Sequence, residues 1–221
     1  MSAPSAAIED YVKAIFMAET EIGDPLVSTK AVAARMDVSA ASVTNMLKRL
    51  DTLGLVEHVP YRGGRLTAAG RKVALEVIRH HRLLETYLAE ALGVPWDAVH
   101  KEAEVLEHVL SEELEDRIAA LLGDPTNDPH GHPIPAKDGT MPPASHRTLW
   151  DVMDGEPAAI ERVADRDAEA LRYLDALGMR PGVRLEVVGR GPVGGPLMVK
   201  VAGSQAERAI SRELAEVVWV S

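Results

Sequence analysis

Residues 27–66 read VSTKAVAARMDVSAASVTNMLKRLDTLGLVEHVPYRGGRL, and the fold turns on this stretch. Ser28 stands one residue ahead of a short helix running from about Thr29 to Met36. Asp37, Val38 and Ser39 make a tight turn, and Ser39 then caps a second helix that ends at Gly54. A serine hydroxyl accepts from the unpaired N–H groups of a helix's first turn, and glycine supplies the left-handed exit at its end. Two short helices joined this way form a helix-turn-helix. Leu55 to Val59 follow as a strand, Tyr61-Arg62-Gly63-Gly64 as a hairpin turn, and Arg65-Leu66 as the start of a return strand. That hairpin is a wing.

A recognition helix reads base edges with its N-terminal residues. Here that end carries Ser39, Ala41, Ser42 and Asn45, with Val43, Met46, Leu47 and Leu50 as the inward stripe. Asn45 suits an adenine edge, the serines suit bases or phosphates, and Ala41 suits a thymine methyl. Lys30, Lys48, Arg49 and Arg62 are candidate phosphate contacts, which position a protein without specifying sequence, and Thr29 is a further DNA-binding candidate.

The formal net charge of −10 argues against a general polyanion binder. Its distribution answers the objection. Lys30, Arg35, Lys48, Arg49, Arg62 and Arg65 face only Asp37, Asp51 and Glu57 within the reader, while the acid excess gathers between Glu102 and Asp116. Such asymmetry predicts separate DNA-facing and cation-facing surfaces. With 46% apolar residues a sizeable core can form, although only 4% are aromatic and aliphatic side chains must fill it. There is no cysteine, which excludes a disulfide framework and a thiolate metal site. No basic region followed by an apolar run opens the chain, and no stretch approaches the roughly 18 apolar residues of a membrane span. A soluble, cytoplasmic protein is expected.

Outward from the reader, residues 5–21 carry Ile8, Val12, Ile15, Phe16 and Ala18 at helical spacing, ended by Gly23-Asp24-Pro25. Thr67 caps a long helix reaching Gly93, a further helix runs from Trp96 to about Leu110, and another from Ser111 to Leu122. DPTNDPHGHPIPAKDGTMPP (124–143) reads as an ordered loop running into a linker. A second domain starts near Arg147, with a helix at Asp167–Leu177, strands at Arg184–Val188, Leu197–Val201 and Val217–Val220, and a turn at Gly191–Gly195. Short strands between sharp turns predict an SH3-like barrel. The fold class is mainly α with small β: winged helix-turn-helix, helical domain, SH3-like barrel.

HKEAEVLEH (100–108) places His100, Glu104 and His108 on one helical stripe with Glu107 beside His108, and His81 and Glu85 face together four residues apart on the long helix. These imidazoles and carboxylates make a divalent-cation surface. Its N and O donors suit Mn²⁺ or Fe²⁺ and disfavour Cu(I). His58, His80 and His146 read as structural. His130 and His132, in a Pro/Gly loop, read as non-ligands, and Glu112, Glu113 and Glu115 as a solvated helix face.

IEDYVKAIF (8–16), VSAASVTNMLKRLDTLGLV (38–56), HHRLLE (80–85), PWDAVHKEAEVLEHVLSEELEDRI (95–118), DPHGHPIP (128–135) and RPGVRLEVVGRGPVGGPLMVKVAG (180–203) carry a resemblance spanning essentially the whole chain. The chain resembles the diphtheria-toxin-repressor family of iron- and manganese-dependent regulators, and within it the manganese-responsive branch with a C-terminal SH3-like domain. The resemblance implies a winged-helix domain over residues 1–70, a helical metal-binding and dimerisation domain over 71–140, and an SH3-like (FeoA-like) domain over 147–221. It implies a primary metal site of Asp10, Glu104, Glu107 and His108, an ancillary site of His81, Glu85 and His100, and Glu161 or Asp165 as contributions from the SH3-like domain. It implies a homodimer on palindromic double-stranded operator DNA, with no membrane partner and no small-molecule substrate.

Iron-responsive members carry a sulfur side chain at the positions of Asp10 and Glu104, whereas this chain has carboxylates, as manganese-responsive members do. Manganese members of the shorter type have another carboxylate where this chain has Lys13, so their bridged two-metal arrangement does not transfer directly. The expected function is a Mn²⁺-activated repressor of metal-uptake genes, with Co²⁺ or Zn²⁺ as surrogate ions. The alternative is an Fe²⁺-activated repressor of iron-uptake genes. A metallohydrolase is the distant third, since it requires an open coordination position and a poised base and the chain has no HExxH motif. No enzyme activity is expected.

Overall fold

Polar caps set the helix boundaries of the reader. The computed structural model describes residues 5–192, 194–204 and 206–221. It falls into two units, one of residues 5–80, 107–109 and 135–140, the other of residues 81–106, 110–134 and 141–221.

In the first unit α1 (Ala6–Ile22) buries Ile8, Val12, Ile15 and Phe16 and ends at left-handed Gly23. Ser28 Oγ accepts from Ala31 N to start α2 (Thr29–Met36), and Ser39 Oγ accepts from Ser42 N to start α3 (Ala40–Thr52). Between them Asp37 takes the left-handed conformation (φ 52°, ψ 47°) that aspartate tolerates better than most residues. Val43, Leu47 and Leu50 of α3 are fully buried.

The wing is an antiparallel pair, β1 (Val56–Val59) and β2 (Gly63–Leu66). Gly63 and Gly64 belong to the return strand, opposite Val59 and His58, rather than to the turn expected at 61–64. The turn is tighter: Arg62 N donates to Val59 O, and Tyr61 takes a positive φ of 64°. The reason lies on the strand's other side, where Val27 and Gly64 exchange both backbone hydrogen bonds, at 2.9 and 3.0 Å. Gly63 sits at φ 129°, and a Cβ there would lie 1.9 Å from Val27 O. Thr67 Oγ1 accepts from Gly70 N and donates to Gly54 O, starting α4 (Ala68–Glu90).

In the second unit, the part of α4 from His81, α5 (Val99–Leu106) and α6 (Glu112–Leu121) share a core of Leu83, Leu84, Leu88, Val99, Ala103, Ile118, Ala119 and Ile134. Here α5 is shorter than the expected Trp96–Leu110. Pro95 O accepts from Ala98 N and Val99 N, so a turn precedes the helix, and residues 107–109 form another turn after it. His108 therefore lies beyond the helix and does not continue a His100–Glu104 stripe.

After the single-turn 3-10 helix Leu149–Asp151, the β part comprises β3 (Pro157–Val163), α7 (Ala168–Ala176), β4 (Arg184–Arg190), β5 (Leu197–Val201), β6 (Glu207–Ile210), α8 (Arg212–Ala215) and β7 (Val218–Val220). The strands form one antiparallel sheet in the order β6-β5-β4-β3-β7, the SH3-like domain expected. Ile160, Val163, Leu171, Leu174, Met179, Val187, Leu197, Val199 and Val220 fill its core. Two strands had no counterpart in the sequence reading, β3 and β6. In the expected turn at 191–195, Val193 lies outside the described residues. No helix among the described residues is long and apolar enough to cross a membrane.

Gly63→Ala should lower the unfolding free energy by at least about 2 kcal/mol, because strained φ and overlap with the Val27 carbonyl act together. Urea denaturation reads this directly; a loss under about 0.5 kcal/mol would mean the wing re-registers at little cost.

Candidate metal centre

Ligand-type side chains gather in each unit. In the first unit, ligand atoms of Asp10, Glu107 and His108 lie within 4.8 Å of one another. His108 Nδ1 is 2.6 Å from Glu9 Oε2, and donation to that carboxylate leaves Nε2 facing Asp10 Oδ1 at 2.9 Å and Glu107 Oε1 at 3.6 Å. A carboxylate behind an imidazole fixes the ring and raises its basicity as a ligand. The sequence reading missed Glu9, although it adjoins Asp10; acid in a first helical turn usually complements the helix dipole. Glu107 is buried, and Lys13 Nζ donates to both of its oxygens, at 2.9 and 2.8 Å. Lys13 thus places an ammonium on a carboxylate that the resemblance makes a metal ligand.

In the second unit one group is His81, Glu85, His100 and Asp165. His81 and Glu85 stack one turn apart on α4, and His100 comes from the first turn of α5. His81 Nε2, His100 Nδ1 and Glu85 Oε1 are mutually 3.0, 3.0 and 3.1 Å apart, and Asp165 Oδ2 is 3.7 Å from His100 Nδ1. Two imidazole nitrogens converge on one carboxylate oxygen, and the same three atoms can ligate a divalent ion; the N/O donor set fits Mn²⁺, Fe²⁺ or Zn²⁺. Burial alone would raise Glu85, but the charge of His81 and the close His100 and His130 imidazoles outweigh it and hold the carboxyl well below the usual range.

Of the other expected ligands, Glu104 is half exposed on α5, with Oε1 3.8 Å from His100 Nε2. Glu161 does not join the Asp165 group; its Oε2 accepts from Ser145 N at 3.2 Å. His130 and His132, read as loop histidines, are buried beside Asp128. Burial pulls the His130 imidazole down, yet Glu85, Asp128 and Asp165 push it up to about 9.

The candidate DNA face lies wholly in the first unit. Lys30, Ser39, Ala41, Ser42, Asn45, Lys48, Arg49 and Arg62 are exposed, and Thr29 is half-buried. Ser39 and Ser42 hydroxyls are 2.9 Å apart, so each offers the solvent only its remaining capacity. Asn45 has no such neighbour among the bonds described.

Three family descriptions match in succession: the iron-dependent repressor N-terminal DNA-binding domain over residues 5–64, the iron-dependent repressor metal-binding and dimerisation domain over 67–136, and the FeoA domain over 147–221. The iron-dependent repressor IdeR of Mycobacterium leprae is 33% identical over 192 residues, 81% of this chain and 82% of that one. The diphtheria toxin repressor of Corynebacterium efficiens is 32% identical over 190 residues, with 81% and 82% covered. Among solved structures, a manganese-dependent transcriptional repressor in complex with manganese is 40% identical, with a TM-score of 0.89 over 96% of this chain and 98% of that one. ScaR with bound Cd²⁺ is 31% identical, with a TM-score of 0.80 over 99% of both chains. The chain belongs to the iron-dependent, diphtheria-toxin-repressor family: it is a metal-dependent transcriptional repressor with a C-terminal FeoA domain, and not an enzyme.

Proposed function

We propose that this repressor is activated by Mn²⁺ and, as a homodimer on a palindromic operator, shuts off metal-uptake genes. The carrying observation is the donor chemistry. Asp10, Glu107 and His108 in one unit, and His81, Glu85, His100 and Asp165 in the other, offer only carboxylate oxygen and imidazole nitrogen. Mn²⁺ binds weakest in the divalent series, so oxygen-rich geometry decides its selectivity. The likeness to a manganese-dependent repressor supports this choice; the similarity to relatives named iron-dependent makes Fe²⁺ the competing reading.

In the proposed mechanism Asp10, Glu107 and His108 would hold the activating ion, and His81, Glu85, His100 and Asp165 would hold a second. The ion supplies a point of positive charge that several carboxylates share. Asp10 then ties the N-terminal turn of α1 to the Glu107–His108 turn, with Glu9 keeping the His108 ring in place. Because α1 packs on α2 and α2 on α3, the same tether restrains the reading helix. Asn45 reads a base edge; Lys48, Arg49, Lys30 and Arg62 grip phosphates.

Operator binding followed by anisotropy at one stated salt concentration should respond to Mn²⁺ at free-ion levels no higher than anaerobic Fe²⁺ requires, with Co²⁺ and Zn²⁺ as comparators. Salt must be fixed because phosphate contacts make affinity steeply dependent on it. Activation by Fe²⁺ at tenfold lower concentration would overturn the manganese assignment.

Asn45→Ala should weaken cognate-operator binding by about 1–3 kcal/mol and leave random-sequence DNA nearly unaffected. Equal losses on both would assign Asn45 a positioning role.

Lys13→Gln should tighten Mn²⁺ binding by roughly three- to tenfold in a calorimetric titration, since the ammonium and the ion compete for Glu107 at short range. Weaker binding in the variant would show instead that Lys13 holds Glu107 in its ligating position.

A further inference from the structure

We propose that Glu85, Asp128 and His130 form an additional cation site in the second unit, adjoining the His81–Glu85–His100–Asp165 group, with Glu85 bridging the two. The inference builds on the ancillary site proposed above through Glu85 alone.

Each of the three residues has one atom engaged and one left over. Glu85 Oε1 is met by His81 Nε2 and His100 Nδ1, while Oε2 has no hydrogen-bond partner. Asp128 Oδ1 accepts from His130 N and His132 N at 2.8 and 2.9 Å, while Oδ2 has no partner. His130 Nε2 lies 3.0 Å from Trp96 O. A carbonyl only accepts, so Nε2 carries a hydrogen, and Nδ1, which has no hydrogen-bond partner, is the atom turned towards Glu85 and able to ligate an ion that displaces any proton there. Ligand atoms of these three residues gather within 4.8 Å of one another, and all three side chains are buried.

Three buried polar atoms without hydrogen-bond partners, two of them on carboxylates, carry a desolvation cost. A proton on His130 Nδ1 answers Glu85 Oε2 by charge alone, since the two atoms stand 3.7 Å apart, beyond hydrogen-bond length. Arg82 gives Asp128 a long ion pair, Nε to Oδ2 at 3.7 Å, without a hydrogen bond, and its Nη1 donates to Pro133 O. A divalent ion with bonds of about 2.0–2.2 Å spans such a gap and accepts this mixed N/O set. His132 Nδ1, also unpartnered and 3.3 Å from Asp128 Oδ2, flanks the position as a further donor.

The site is also held rigidly. His130 stacks on Trp96 with ring centroids 5.4 Å apart, and Val163 N donates to His130 O. Gly131, at φ 89°, lies so close to β3 that a Cβ would come within 1.9 Å of Glu161 O. The loop cannot easily withdraw its donors from Glu85.

Crystals of the full chain grown with MnCl₂ and measured at the manganese edge test this directly. Separate anomalous peaks are expected at Asp10–Glu107–His108, at His81–Glu85–His100–Asp165 and at Glu85–Asp128–His130. His130→Phe, which keeps the stack on Trp96, should lose only the last peak and bind one Mn²⁺ fewer per chain in equilibrium dialysis. Peaks at the first two positions with none at the third, or a water there without anomalous signal, overturn this inference alone. No peak at any of them overturns the manganese reading as well. The wild-type map decides the matter even if the variant fails to fold.

Discussion

A carboxylate taken out of water must find donors or positive charge, because desolvation otherwise costs more than folding can spare. Both units of this chain are arranged around that constraint. Glu107 and Glu85 are almost completely buried, and each is surrounded by the groups that make its burial tolerable. Glu107 has the Lys13 ammonium on both oxygens. Glu85 has the imidazoles of His81 and His100 on one oxygen and an unpartnered second oxygen turned towards His130. Glu85 lies on α4 and Glu107 in the turn after α5; in each place a charged residue points inward and is answered by particular side chains.

The parts of the fold readable from sequence are those fixed by neighbours in sequence. Ser28, Ser39 and Thr67 cap the helices that their positions suggest, and the stripe Val43–Leu47–Leu50 is buried. The unread parts depend on distant contacts. The alternation of β3 is broken by a register shift between Ile160 and Arg162, so Ala158, Ile160 and Val163 are buried without a clean period of two. In β6 only Ile210 is buried, and the strand lies at the sheet edge. The α5 boundaries were overestimated because apolar spacing continues through Leu110, although Glu107 and His108 leave the helix.

The candidate sites divide the same way. His81 and Glu85 are four apart on one helix, and their pairing follows from helical geometry. Asp10 and His108 are nearly a hundred residues apart, and only the family resemblance joined them in advance. Glu9, Asp128 and His130 had no such help. A histidine between Pro129 and Gly131 reads as surface loop, yet Trp96, His130 and Val163 fold that loop into the interior. The DNA face shows the converse: net charge misleads for the whole chain, and the local balance on α2, α3 and the wing is the informative quantity.

Lys13 has a consequence for how the protein meets changing metal supply. A domain whose buried acid is neutralised only by its metal unfolds when the metal leaves, as small zinc modules do. Here the chain carries a resident counter-charge covalently, on the helix next to the acid. The unloaded repressor can persist as a folded, waiting population, and loading becomes a change of partner for Glu107. Gene control then follows the ion concentration reversibly, with no requirement to refold or resynthesise the sensor at each cycle.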